Sequence, residues 1–141
     1  MPSELKWLVE DRVIYLRLSG IVEIEEGRQN NERAVQMIDA GKPPVHTILF
    51  DRDVEKINAS LSDMVKTMEV YRHPWLKWIV AVGDSTPSTK FLTSILSKLF
   101  RVSFHRVSTL QEAIDYLKVQ DPTIDWTKAD ASLLPEQSVK R

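Results

Sequence analysis

VHTILFDRDVEKINASLSD, residues 45–63, is the stretch on which the reading of the fold turns. Val45–Phe50 show little alternation of apolar and polar side chains, as a strand buried on both faces does. The run stops at Asp51. Nine residues later Ser60 precedes a different rhythm, with Leu61, Met64, Val65 and Met68 at i, i+3, i+4 and i+7. That spacing predicts an amphipathic helix from Leu61 to about residue 71, closed by Pro74. A carboxylate at a strand's end and a serine at the next helix's mouth suit three uses: a catalyst, a phosphorylation switch, or helix capping alone.

Working outward, LKWIVAVGD (76–84) is a second buried strand, and RVSFHRV (101–107) is another. Between them STPSTKFLTSILSKLF (85–100) predicts a helix, with Pro87 suited to its first turn. STLQEAIDYLKV (108–119) predicts the last helix, opened by Thr109 and Glu112 at capping-box spacing. Upstream, KWLVEDRVIYLRLSG (6–20) holds two strand-like pieces around a short polar break, the pattern of an antiparallel hairpin. In its second piece Ile14, Leu16 and Leu18 share one face, and Gly20 is expected to end the strand. From about Val22 to Ala40 a helix is expected, with acidic residues in the early turns where the macrodipole favours them. Gly41 and Pro43-Pro44 stop it.

The predicted order is β-β-α-β-α-β-α-β-α. Strands joined through helices lie parallel by right-handed crossovers, so the expected architecture is one α/β domain. It has a mixed five-stranded sheet and four helices, spanning residues 1–120. Residues 121–141 lose the periodicity and are expected to form a loosely held extension, anchored by Trp126.

Composition narrows the functions. The chain has 141 residues, 43% hydrophobic and 28% charged, an ordinary globular balance. It has no cysteine, which excludes disulfides, thiol nucleophiles and thiolate metal sites. Its formal charge of −1 supplies no global field toward nucleic acid or an anionic membrane. Residues 1–40 carry eight acidic and five basic side chains, whereas 77–107 carry five basic and one acidic. No stretch approaches the ~20 apolar residues of a membrane span. MPSELKWLVEDR at the N-terminus has charges throughout and no signal-peptide core. A soluble cytoplasmic protein is the reading.

Chemistry-bearing motifs are scarce. His46, His73 and His105 form no metal-ligating pair at helical spacing. Four glycines, none in a phosphate-cradling pattern, leave VGDSTPSTK as the nearest approach to an anion loop. No serine lies on a Gly-x-Ser-x-Gly turn. No catalysis, metal or cofactor is expected. Surface shape remains: Phe91, Leu92, Ile95, Leu96, Leu99 and Phe100 span an apolar arc of roughly 180°, wider than the ~100° a sheet-packed helix needs. Part of it, Phe91, Leu92, Leu96 and Phe100, is a candidate interaction surface for a protein partner or a homodimer. Phe100 is expected to protrude.

The element order together with TILFD (47–51), the linking RDVEKIN and then ASLSD (59–63) resembles the STAS domain. That is the fold of anti-sigma-factor antagonists and of sulfate-transporter cytoplasmic domains, and the resemblance covers about residues 5–118. In the family the third strand ends in an Asp, and an Asp-Ser-Ser-Gly-like motif leads into the second helix. Its first serine is phosphorylated by a partner kinase. The resemblance places Asp51 at the strand-end landmark and Ser60 at the phosphorylated position. Ala59 stands for the preceding acidic residue and Ser62 for the glycine. It implies a divergent stand-alone bacterial member. Two function classes follow: a non-catalytic regulatory protein-interaction module, or a carrier of a small apolar, lipid-like ligand in a cavity between sheet and helices. The first expects a filled core, the second a sizeable void.

Overall fold

The computed structural model describes residues 3–84, 87, 90, 93, 94, 98, 100 and 102–134. Its elements are β1 (Ser3–Val9), β2 (Val13–Glu23), α1 (Ile24–Ala40), β3 (Val45–Asn58), α2 (Leu61–Thr67), β4 (Leu76–Val82), β5 (Ser103–Val107) and α3 (Leu110–Gln120). Short 3₁₀ turns cover Glu69–Arg72, Trp126–Lys128 and Ala131–Leu133. The five strands lie side by side in chain order. β1 and β2 are an antiparallel hairpin; β2 to β5 are parallel to their neighbours. This is the expected mixed α/β sheet in one domain.

Of the four expected helices, one falls mostly on residues outside those described. Three α-helices stand among the described residues. Most of the predicted helix 85–100 falls outside them, although Pro87, Lys90, Thr93, Ser94 and Lys98 are helical.

Alternation along the strands sorts side chains into two layers. Leu5, Ile14, Val45, Leu49 and Ile79 face one way and form a core with Ala34 and Ile38 of α1 and Met64 of α2. Val13, Tyr15, Ile48, Val80 and Val82 face the other way and meet Ala113, Ile114 and Leu117 of α3. Successive right-handed crossovers between neighbouring strands put their helices on one face. α3 follows the last strand and is free to cover the other. Its start is fixed by the expected capping box: Thr109 accepts from the Glu112 amide and Glu112 accepts from the Thr109 amide.

Three local expectations are corrected. β2 does not end at Gly20 but runs on to Glu23; Gly20 takes φ +68°, which a glycine adopts without strain, at a bulge in the β2–β3 pairing. β3 does not end at Asp51. It continues seven residues to Asn58, because the prolonged β2 offers a partner strand. The predicted second helix breaks at Met68 into a 3₁₀ turn. The tighter winding turns Val70 into the core beside Met64 and Met68.

The C-terminal extension is more firmly held than its composition suggests. Asp121 and Ile124 are buried, Ala129 bridges Val9, and the Asp130 amide donates to the Leu8 carbonyl. Trp126 is only half-buried against the α3-side core. Ala129 and Asp130 thus cover the Leu8–Val9 end of the outer edge of β1, where a foreign strand could otherwise pair.

Candidate functional site

Ser60 is the N-cap of α2. Its backbone is extended, and its hydroxyl accepts a hydrogen bond from the Asp63 amide at 3.1 Å. The side chain is exposed, as are Ser62 and Asp63 beside it. A hydroxyl there satisfies one orphan amide of the first turn and remains open to a second macromolecule.

Asp51 is not beside Ser60. Six strand residues at ~3.3 Å each lie between it and Asn58 alone, roughly 20 Å of chain. Nor does Asp51 mark the end of a strand. It lies within β3, 1% exposed, on the α1/α2 face. There it is gripped by Arg106 of β5: Nη1 donates to Oδ1 at 2.9 Å and Nη2 to Oδ2 at 2.8 Å. The same Nη1 donates to the Gly83 carbonyl at 3.1 Å. This two-pronged pair reaches across Ala81 of the intervening β4. It ties the third strand to the fifth and leaves both carboxylate oxygens occupied, so it has no free base to offer a substrate. Tyr71 feels it: burial, and then the Asp51 charge, push the Tyr71 hydroxyl up to about 12.

A second buried polar cluster lies near the opposite ends of the strands. His46 is wholly buried in β3, and its Nε2 lies 2.8 Å from Asp121 Oδ2. Arg12, in the β1–β2 turn, donates from Nη2 to the same oxygen at 2.7 Å and to Thr123 Oγ1 at 2.9 Å. Its Nε donates to the Pro44 carbonyl at 3.0 Å. Thr123 donates its amide and hydroxyl to Asp121 Oδ1. Burial alone would raise the Asp121 pKa, but the bonds from His46 and Thr123 outweigh it and hold the carboxyl at about 2. Burial lowers the pKa of His46, partly offset by Asp121; facing the Asp121 carboxylate, Nε2 is the nitrogen that donates when the ring is neutral. Nδ1 is left buried with no partner. An Asp–His pair suggests a general base. This one is sealed from solvent and has no nucleophile at the free nitrogen; it latches the C-terminal segment onto β3.

The other histidines are also occupied. His73 Nε2 lies 2.7 Å from Asp39, and His73 Nδ1 accepts from the Trp75 amide. His105 stacks on Tyr116 with ring centroids 4.0 Å apart. Among the described residues no group of three His, Asp or Glu side chains could hold a metal ion, and no helix is long and apolar enough to cross a membrane.

Of the proposed interaction surface, Phe91, Leu92 and Leu96 lie outside the described residues. Phe100 does not protrude. It is 7% exposed, its ring 5.8 Å from that of Tyr71 and 4.9 Å from the Arg72 guanidinium. The turn Glu69–Arg72 covers it, which periodicity within 85–100 had no means to reveal. Between the sheet and α1/α2 there is a cavity of ≈ 80 Å³ lined by Leu16, Leu18, Ile57, Met64, Met68 and Tyr71. Ligand pockets usually measure ~300–1,000 Å³, so this void is too small for an acyl chain. A second cleft, of ≈ 820 Å³, lies beside Pro43, Pro44, His73, Trp75 and Lys77, with walls that are more apolar than polar.

Arg12, Arg106, Asp121 and Thr123 were not singled out by the sequence. The side-chain bonds that join Arg106 to Asp51, Asp121 to His46, and Arg12 to Asp121 and Thr123 span 55 to 111 positions, and no local spacing signals such a meeting.

No protein-family model matches the chain, and no curated protein does. Solved structures do match. An uncharacterised DUF3478-family protein with a SpoIIAA-like fold from Shewanella loihica superposes with a TM-score of 0.61 at 10% identity. The match covers 82% of this chain and 91% of that one. SpoIIAA, the Bacillus cell fate determinant, in its phosphorylated form gives 0.55 at 16% identity, over 82% and 98%. The anti-sigma factor antagonist SpoIIAA in its unphosphorylated form gives 0.50 at 14%, over 82% and 97%. Identities this low speak to architecture alone, and on that the three agree: the chain has the SpoIIAA-like fold, the STAS-type architecture that its element order and its Asp51–Ser60 segment resemble.

Proposed function

We propose that the chain is a non-catalytic regulatory module of the cytoplasm that works by binding another protein, with Ser60 as the residue through which binding is switched. The observation that carries this reading is the exposed Ser60 hydroxyl at the N-cap of α2. SpoIIAA, whose fold the chain shares, occurs in phosphorylated and unphosphorylated forms, and the resemblance to the STAS family puts Ser60 at that family's phosphorylated position. The engaged state of His46, His73, Asp51 and Arg106 agrees with an absence of chemistry. Phosphate on Ser60 would keep an acceptor at the cap and add charge where the helix dipole favours it, so the fold tolerates the modification. The small void between sheet and helices gives the lipid-carrier alternative no support.

The test is peptide mapping by mass spectrometry of the protein purified gently from its own cells. Phosphate on Ser60, and a partner held by Ser60→Ala but released by Ser60→Asp, are the expected results. Ser60 unmodified throughout growth, with both variants holding the same partners equally, refutes the switch.

A further inference from the structure

Beyond Asp51 the sheet narrows. Among the described residues β4 pairs with β3 only as far as Phe50, and β1 with β2 only as far as Leu18. Ser19–Glu23 and Asp53–Asn58 continue together as a two-stranded parallel ribbon. Its inner face rests against α1 and α2, with Val22 and Val54 buried and Ile57 packed into the core. A two-stranded ribbon is marginal in water, and a third strand is the usual remedy. Yet the outer edge of β3 from Arg52 to Asn58 has no strand beside it among the described residues. Arg52, Asp53, Glu55, Lys56 and Asn58 are all exposed.

The sequence of that edge is complementary to itself. Let two copies lie antiparallel about a two-fold axis between Glu55 and Lys56. Glu55 of each copy then opposes Lys56 of the other, Val54 opposes Ile57, and Asp53 opposes Asn58. A register one residue away in either direction sets Glu55 against Glu55 or Lys56 against Lys56 on the axis. Directly opposed like charges destabilise a strand pair, so one register stands out. The bulge helps: the pairing skips Glu55, passing from Gly20–Val54 to Ile21–Lys56. Val54 and Ile57, opposite Gly20 and Val22, therefore share the inner face despite being three residues apart. Their cross-pairs extend the apolar layer under both ribbons. Neither Glu55 nor Lys56 is in an ion pair within the chain among the described residues, so both are available.

We propose that the edge Arg52–Asn58 pairs antiparallel with the same edge of a second copy, joining two five-stranded sheets into one. The contact is isologous and closed. Two edges of this length bury less area than a standard interface, so the dimer is weak, of micromolar order. The opposing use of the same features is protection: charges and a bulge also keep a monomer's edge from pairing.

Sedimentation velocity up to high micromolar concentration separates the two. The wild type should dimerise with rising concentration. Glu55→Lys and Lys56→Glu should each weaken the dimer about tenfold or more, since each turns two symmetric attractions into repulsions. The double variant Glu55→Lys/Lys56→Glu restores the pairs at unchanged net charge and should recover the dimer. An equimolar mixture of the two single variants should form a heterodimer that neither forms with itself. Circular dichroism should show all of them folded, because both side chains are exposed. A strict monomer overturns the proposal, as does a dimer indifferent to either single swap or one that the double swap fails to restore.

Discussion

Replacing Arg106 with Met leaves the Asp51 carboxylate in place with its two strongest hydrogen bonds gone. The side chains of the pair are 2% and 18% exposed, so neither ion is well solvated in the fold. Two unit charges ~4 Å apart at an effective dielectric of ~20 attract by ~4 kcal/mol, which is the interaction lost. Breaking one side of a buried pair typically costs ~3–5 kcal/mol, and the partial exposure of Arg106 places this case near ~3 kcal/mol. The Gly83 carbonyl loses a donor as well. Against a total stability of ~5–15 kcal/mol, a loss of that size is easily seen.

The converse change sharpens the test. Asp51→Leu together with Arg106→Met removes both charges and fills the space with apolar atoms. Such a replacement is often neutral or stabilising, so the double variant should lie within ~1 kcal/mol of the wild type. Urea unfolding of the four proteins, read by far-UV circular dichroism and tryptophan fluorescence, gives the coupling directly. If Arg106→Met costs under ~1 kcal/mol and the two changes add independently, the pair is not a buried clamp, and the account of how β3 and β5 are held across β4 is wrong.

Ser60→Ala should cost ~1 kcal/mol by loss of the cap, and Ser60→Asp should be nearly neutral because a carboxylate caps too; thermal unfolding of both variants checks this. Gly83→Ala should destabilise, since Gly83 takes φ +119° and a Cβ would come 2.7 Å from that of Arg52. Gly27→Ala, at the end of the first turn of α1 and with nothing within 4 Å, should instead raise stability by up to ~0.5–1 kcal/mol, measured in the same urea series. Stability should fall as pH drops below ~6.5, because the unfolded chain protonates His46 while the fold, with its lowered pKa, does not. A second decline should follow from ~4 down to about 2 as Asp121 is protonated in the unfolded state first. Urea midpoints at pH 7.5 and 5.5 test the upper limb, which His46→Gln should flatten.

Where sequence periodicity is clean, it locates the elements. The polar break at Glu10–Arg12 marks the hairpin, unbroken apolar runs mark β3 and β4, and Thr109 with Glu112 fixes the start of α3. The prolonged β3 is hidden because the β2–β3 pairing skips Asp51, Arg52 and Glu55. Those skips destroy the two-residue period, so DRDVEKIN looks like a polar loop. The Met68 break is hidden for a related reason: the change from α to 3₁₀ winding moves Val70 onto a stripe that helical spacing assigns elsewhere. Ser60 is legible as a cap because capping is local. The role of Asp51 is illegible because it depends on Arg106, a residue of another strand. The same holds for His46, whose burial looks costly until Asp121 and Arg12 arrive from 75 and 34 residues away.

The two buried clusters divide the molecule mechanically. Arg106–Asp51 clamps the sheet near the ends of the parallel strands, and Arg12–Asp121–His46 clamps it near their beginnings. Between the clamps lie the best-buried side chains of β3 and β4, from Val45 to Leu49 and from Ile79 to Ala81. Outside them lies the ribbon Ser19–Glu23 and Asp53–Asn58, two strands wide among the described residues, bulged, charged on its free edge, and ending two residues before Ser60. Regions of low local stability are where binding and switching surfaces are drawn from, because they reorganise without opening the core. The edge proposed for self-pairing falls on this ribbon and the serine proposed for partner binding lies just past its end, and neither requires the clamped part of the sheet to move.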